Sequence, residues 1–350
     1  MKLSTFRLLS CVVAITPLVI LCGPQVAIAG SYSPLPIDDS GSSVSATPPS
    51  MPNLPRGDGS ALGGYNVLIA DRGNNRVLLV SPEKKILWEY NFVGLPRSSG
   101  ADDAFFADGG KSIIVNLEHQ QVIEVIDIAT KAVTWQYGQL GKRGARDGLL
   151  NFPDDAYKLG NGDVMVADIR NCRILEINPD NRNVRQAGVT NRCGRQAPML
   201  ASPNGDTPLP NGHVLVSTIN DRGLTELDEN WQPILKLNLP LRYPSDPQPT
   251  QAGNFLIADY SRPGKIIEIG RDGTVVWEYL AEGDGGLRRP SLAIELPNGN
   301  VLANDDLNHR VIVVDKATKK IVWQYGVTGQ PGSEAGFLSI PDGLDIIKAE

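Results

Sequence analysis

From Tyr65 onward, apolar runs of four to six residues rich in Val, Ile and Leu alternate with polar turns. Runs this short, with many β-branched residues, predict strands and not helices. Asn-Gly pairs at 161–162, 211–212 and 298–299 sit between such runs. Both residues of the pair tolerate positive φ, so each pair predicts a tight hairpin. The expected class is therefore all-β.

The runs fall into a repeat. Asn66-Val67-Leu68-Ile69-Ala70-Asp71 is followed by Asn74-Asn75-Arg76 and then by Trp88-Glu89-Tyr90. The phrase returns at residues 164–173 and 301–310, with weaker copies starting at Ile113, Val214 and Phe255. Counted from Asp71, the equivalent anchors are Leu117, Asp168, Thr218, Asp259 and Asp305, at steps of 46, 51, 50, 41 and 46 residues. A period in the forties built of short strands predicts the blades of a β-propeller. Pro153, Pro203, Pro244 and Pro290 each precede their anchor by 15 residues, which predicts a strand A opening on proline, where no ladder hydrogen bond is lost. Each blade then reads as strands A to D. Ile340-Pro341-Asp342-Gly343 repeats the start of a strand A with no blade after it, while the first blade lacks one. The C-terminal strand is expected to complete blade 1 and close a six-bladed ring of four-stranded antiparallel sheets, removing open sheet edges.

Composition adds boundaries and a compartment. Residues 1–29 read as a secretory signal: Lys2 and Arg7, an apolar stretch over residues 8–22, and Ala27-Ile28-Ala29 as a cleavage site. The stretch is short for a membrane span of about 20 residues, so no span is expected after cleavage. Residues 30–60 are Pro/Ser-rich and read as a linker, with the propeller over 61–350. Losing Lys2 and Arg7 takes the formal net charge from −6 to −8, which argues against a nucleic-acid partner. Two cysteines remain, Cys172 and Cys193, and in a secreted or periplasmic protein an even pair is expected to be bridged.

The blade motifs carry a resemblance. Ala-Asp-x-x-Asn-x-Arg at 70–76 resembles the NHL-repeat propellers, as does the glycine-rich connector from Tyr137 to Pro153, which recurs from Tyr325 to Pro341. Asp127-x-x-Thr130-Lys131 through Trp135, and Asp315-x-x-Thr318-Lys319 through Trp323, are similar to the tryptophan motif of quinoprotein (PQQ-type) propellers. Residues 271–277 are similar to bacterial arylsulfotransferase propellers. These likenesses imply a propeller and leave activity open. Quinoprotein chemistry would call for eight blades and often vicinal cysteines. A sulfotransferase-like activity would call for a channel histidine nucleophile.

Strand alternation places the B–C and D–A loops on one face, the face where a small-molecule or protein ligand is expected. His119 and His309 lie in B–C loops and His213 at an A–B hairpin on the other face, so a three-histidine zinc site is not expected. The repeated groups Asp71 with Arg76, Asp168 with Arg173, Asp305 with Arg310, and Trp88, Trp135, Trp277 and Trp323 read as structural, because a single active site needs residues that differ between blades. The uneven set is at the start of strand A: Asp102 and Asp103, Asp154 and Asp155, Asn204 with Asp206, Ser245 and Asp246, Ser291, and Asp342. Carboxylates around one channel mouth could hold Ca²⁺, the candidate cofactor, or supply a general base. No catalytic constellation is evident. The leading reading is a monomeric, secreted or periplasmic binding module. The alternative is a metal-assisted hydrolase, lactonase or lyase working through the channel carboxylates.

Overall fold

A computed structural model describes residues 59–349; the signal segment and nearly all of the linker lie outside the described residues. Six four-stranded antiparallel sheets form the ring, each running A-B-C-D from the inside outward. Strands B to D of blade 1 are Tyr65–Asp71, Arg76–Val80 and Ile86–Asn91, and its strand A is the C-terminal Pro341–Lys348. The closure is in register from Tyr65 with Lys348 to Ile69 with Leu344. Blade 2 spans Asp103–Ala107 to Val133–Gly138, blade 3 Pro153–Lys158 to Asn183–Gly188, and blade 4 Pro203–Pro208 to Pro233–Asn238. Blade 5 spans Gln248–Pro249 to Val275–Tyr279, and blade 6 Ala293–Glu295 to Lys320–Gly326. Among the described residues, no helix is long and apolar enough to cross a membrane.

Strand B reads as a continuous apolar run because neighbouring blades cover both of its faces. Val67, Leu68, Ile69 and Ala70 are all fully buried. The outer strand D, with one face to solvent, alternates instead: Leu87, Val184, Ile234 and Val322 are exposed.

The proline rule holds in part. Pro153, Pro203 and Pro341 open strand A, but in blades 5 and 6 the inner strand is short and begins after the proline. Pro244 makes only an isolated bridge to Asp259. The cause is local. Pro247 has no amide hydrogen to give the ladder. In blade 6 the amides of Ser291 and Leu292 donate to the side chain of Asn304 on strand B, at 3.1 and 2.8 Å, and not to that strand's backbone carbonyls.

In blades 1, 3 and 6 the repeated polar residues tie the B–C turn to a D–A loop. Asp168 Oδ2 accepts from Arg173 Nε at 2.8 Å and from Asn171 at 2.7 Å, while its Oδ1 accepts the amide of Asn151 at 2.7 Å. Asp71 does the same with Arg76, Asn74 and the amide of Ser339, and Asp305 with Arg310, Asn308 and the amide of Arg288. Each aspartate is fully buried, where an unpaired charge would be costly, and the hydrogen-bond set compensates it. The tryptophans join blades. Trp88 Nε1 donates to Ile128 O at 2.9 Å, Trp277 to Lys316 O at 2.8 Å and Trp323 to Pro82 O at 2.9 Å, in each case in the following blade. Trp135 packs at the equivalent seam of blade 2. Cys172 and Cys193 form a disulfide, Cα–Cα 5.1 Å, pinning the B–C turn of blade 3 to the D–A loop behind it.

Candidate functional site: the carboxylate rings of the channel mouth

Just past the start of strand A the chain leaves the ladder. The register shifts between Asp154 and Tyr157 in blade 3 and between Pro203 and Asp206 in blade 4. This irregularity takes Asp155 in blade 3, and Asn204 and Gly205 in blade 4, out of the ladder, and six blades bring the two residues after the proline position together as two rings. The first ring is Asp102, Asp154, Asn204, Ser245, Ser291 and Asp342, which line a funnel of about 150 Å³. The second is Asp103, Asp155, Gly205, Asp246, Leu292 and Gly343, one residue further along each strand. The two glycines let the ring close. A Cβ on Gly343 would lie 2.6 Å from Asp103 Oδ1, and one on Gly205 would lie 3.0 Å from Asp155 Oδ2.

The two rings differ in how their charge is met. The first carries a counterion: Arg72 contacts Asp102, donates to Asp342 Oδ2 at 2.8 Å and to Glu118 Oε2 at 2.9 Å, and is largely buried. Burial pulls its guanidinium pKa down, but the carboxylates of Asp102, Asp342 and Glu118 outweigh that and keep it charged. The second ring has none. Among the described residues, no Lys, Arg or His forms an ion pair with Asp103, Asp154, Asp155, Asp206 or Asp246. Oxygens of Asp103, Asp155 and Asp246 lie within 4.8 Å of one another, as do those of Asp102, Asp103 and Asp154. Both oxygens of Asp155, both of Asp206, and Oδ1 of Asp103 and of Asn116 are buried without a hydrogen-bond partner. Burial first, and then mutual repulsion, pushes Asp154, Asp155 and Asp246 well above the usual carboxylate range, and Asp103 up to about 6.

Several residues here were not singled out from sequence. Arg72, Glu118, Tyr260 and Asp306 each follow a repeat anchor by one position, in the B–C turns, where the six copies read Arg, Glu, Ile, Ile, Tyr and Asp. Reading one residue past the anchor would have found them, since that is where copies diverge most in chemistry. A hollow of about 580 Å³ beside the funnel shares Glu118 and Tyr243 with it and is lined also by His119, Phe152 and Arg170. His119 Nδ1 lies 2.6 Å from Arg72 Nη2. Its pKa is lowered by burial and by Arg72, so the ring is neutral and accepts from the guanidinium. The three histidines do not converge. His309 Nδ1 accepts the amide of Ile340 at 3.1 Å, and His213 Nδ1 lies 2.8 Å from Glu226 Oε1.

No family model and no curated protein matches the chain. Solved structures do. A protein of unknown function from Bacteroides caccae aligns with TM-score 0.59 at 15% identity, covering 81% of this chain and 99% of that one. A chain of the nidogen/laminin complex aligns with TM-score 0.56 at 14% identity, covering 82% and 100%. Virginiamycin B lyase from Staphylococcus aureus aligns with TM-score 0.51 at 14% identity, covering 75% and 84%. The chain is a six-bladed β-propeller. At these identities the likeness is one of fold, and it agrees with the NHL-like and quinoprotein-like character of the blade motifs.

Proposed function

We propose that this propeller is a secreted or periplasmic binding module whose channel holds a hard divalent cation, best matched by Ca²⁺, at the base of a mouth that takes a small oxygen-rich ligand. The observation that carries the reading is Asp155. It is fully buried, both its oxygens lack a hydrogen-bond partner, and they stand among those of Asp103 and Asp246 with no basic side chain to offset them. Such a carboxylate is stable only when protonated or when bound to a cation. An all-oxygen donor set of carboxylates suits Ca²⁺ over softer metals. The Cys172–Cys193 disulfide supports an oxidising compartment. The test is metal analysis after dialysis against micromolar Ca²⁺, for wild type and Asp155→Asn. One bound Ca²⁺ per chain that the substitution abolishes is expected. Absence of metal, with a melting temperature that chelator leaves unchanged, would sink the reading.

A second reading is a cation-assisted hydrolase, lactonase or lyase. It is favoured by the neutral His119 in the hollow adjoining the funnel, whose Nδ1 accepts from Arg72 and whose Nε2–H is left to donate to a substrate oxygen. Ca²⁺-dependent turnover on a panel of lactones and aryl esters, lost in His119→Ala, would select it. Turnover at the rate of buffer leaves the binding module.

A further inference from the structure

The tryptophan–tyrosine pair of strand D is missing from blades 3 and 4, and at the seam between these two blades the replacements are coordinated. In blades 1, 2, 5 and 6 the pairs are Trp88/Tyr90, Trp135/Tyr137, Trp277/Tyr279 and Trp323/Tyr325. In two of these the cation of a lysine in the next blade's C–D turn lies over the indole: Lys131 is 5.9 Å from Trp88 and Lys84 is 5.8 Å from Trp323. The tyrosine hydroxyl also has defined partners. Tyr137 accepts the amide of Gly148 at 2.9 Å and donates to Asn183 Oδ1 at 2.6 Å, and Tyr325 accepts the amide of Gly336 at 3.1 Å.

At the seam between blades 3 and 4 the cation and the ring have changed places. Arg185 stands at the tryptophan position and donates to Glu229 O, the carbonyl equivalent to those that Trp88 and Trp323 reach. Trp231, at φ 59°, occupies the left-handed turn position that holds Lys84 and Lys131 elsewhere. The guanidinium lies 4.7 Å from the Trp231 ring, so the cation–π contact survives with its partners exchanged. The tyrosine has no such substitute. Its position is Ala187, and the two positions that would serve its hydroxyl, those of Gly148 and Asn183, are Pro198 and Pro233. Proline at the first has no amide hydrogen, and proline at the second has no side-chain acceptor. Ring and hydroxyl partners have gone together, leaving a cavity of about 320 Å³ walled by Ala187, Pro198, Leu200, Leu227, Trp231 and Pro233. Arg195 and Lys236 also line it, with Asp221 paired to Lys236 at 3.1 Å, so the lining bears one net positive charge.

We propose that this seam is a second ligand site, separate from the channel mouth, for a small aryl acid: an apolar aromatic ring in the slot that tyrosine fills in other blades, with an anionic tail toward Lys236 and Arg195. The volume is that of a small-molecule pocket, mostly apolar with few polar groups, and Trp231 supplies an aromatic wall. The two prolines set a specificity. A ring hydroxyl reaching them would be buried without a partner, so a phenol is disfavoured against the plain phenyl ring.

The test compares 3-phenylpropionate with 3-(4-hydroxyphenyl)propionate by saturation-transfer NMR and calorimetry on the purified protein. Saturable one-to-one binding of the phenyl compound is expected, at least several-fold tighter than its hydroxylated analogue. Ala187→Tyr, which restores the side chain of the other blades, should abolish it. Ala187→Leu, the residue type of blade 4 at this position, serves if the tyrosine variant does not fold, and should weaken binding at least tenfold. Asp155→Asn should leave it unchanged, which separates this site from the cation site. Lack of saturable binding at millimolar 3-phenylpropionate, equal affinity for the two compounds, or unaltered binding in the filled variants would overturn the proposal.

Discussion

Arg72 Nη1 lies 2.8 Å from Asp342 Oδ2, joining the first B–C turn to the last inner strand across 270 residues of chain. The contact ties ring closure to the charge balance of the mouth, because the same guanidinium serves Asp102 and Glu118. Arg72→Ala leaves these mostly buried carboxylates without a cation. A loss of about 3–5 kcal/mol at pH 7 is expected, as for other broken buried pairs, and denaturant unfolding measures it. A loss under about 1 kcal/mol, the range of a surface pair, would contradict this account.

The second ring sets a pH dependence. Asp103 gives up its proton near 3.8 when unfolded and holds it to about 6 when folded. Between those values the folded state binds more protons, so stability falls as pH rises. Asp102, Asp154, Asp155, Asp206 and Asp246 shift in the same direction, with burial as the leading cause. The melting temperature in chelator should therefore drop from pH 4 toward pH 7. Millimolar Ca²⁺ should restore it most at the upper end, where a cation replaces the protons. Melting curves across pH 4–8, with and without Ca²⁺, check both arms.

Arg310 shows how much one repeated side chain holds. It donates to Asp305 at 2.8 Å, to Asp284 O at 2.8 Å, to Thr328 at 3.0 Å, and to Gln324 and Gly286 O at 3.2 Å. Arg310→Ala should cost about 3–5 kcal/mol by stranding the buried Asp305. Arg310→Lys should recover only part of that, since an ammonium cannot span the forked acceptor set. The comparison is read from the unfolding midpoints of the two variants.

The Cys172–Cys193 bridge closes a separation of 21 residues. In the chain-entropy model a loop of this size is worth about 3 kcal/mol. Cys172→Ser/Cys193→Ser should unfold at lower denaturant by that amount, and thiol titration of the unreduced protein should find neither cysteine free.

The architecture was legible because its determinants are local. An apolar run long enough for one strand, an Asn-Gly turn and an Asp five residues before an Arg each act within one blade, and repetition along the chain made their count a count of blades. The orphan strand A at Pro341 carried the closure in the same way. The mouth was half legible. Five of the six first-ring residues stand beside prolines, Asp102 following Ala101, but Arg72 is anonymous in its own blade and acquires a role only when Asp342, Asp102 and Glu118 are brought around it. The short inner strand of blade 6 escaped the proline pattern because the Asn304 side chain, on the adjacent strand, takes amides that the pattern assigns to the ladder, and that of blade 5 because Pro247 has no amide hydrogen to give.

Sequence by itself therefore determined the blades, their number, the closing strand and the ties within each turn, all interactions between residues near one another in the chain or in the repeat. Only the tertiary structure decided which charges are balanced and which seams are filled. The carboxylates of the second ring, and Arg185 facing Trp231 across two blades, are far apart in sequence, and closing the ring is what sets their distances, their burial and so their electrostatics.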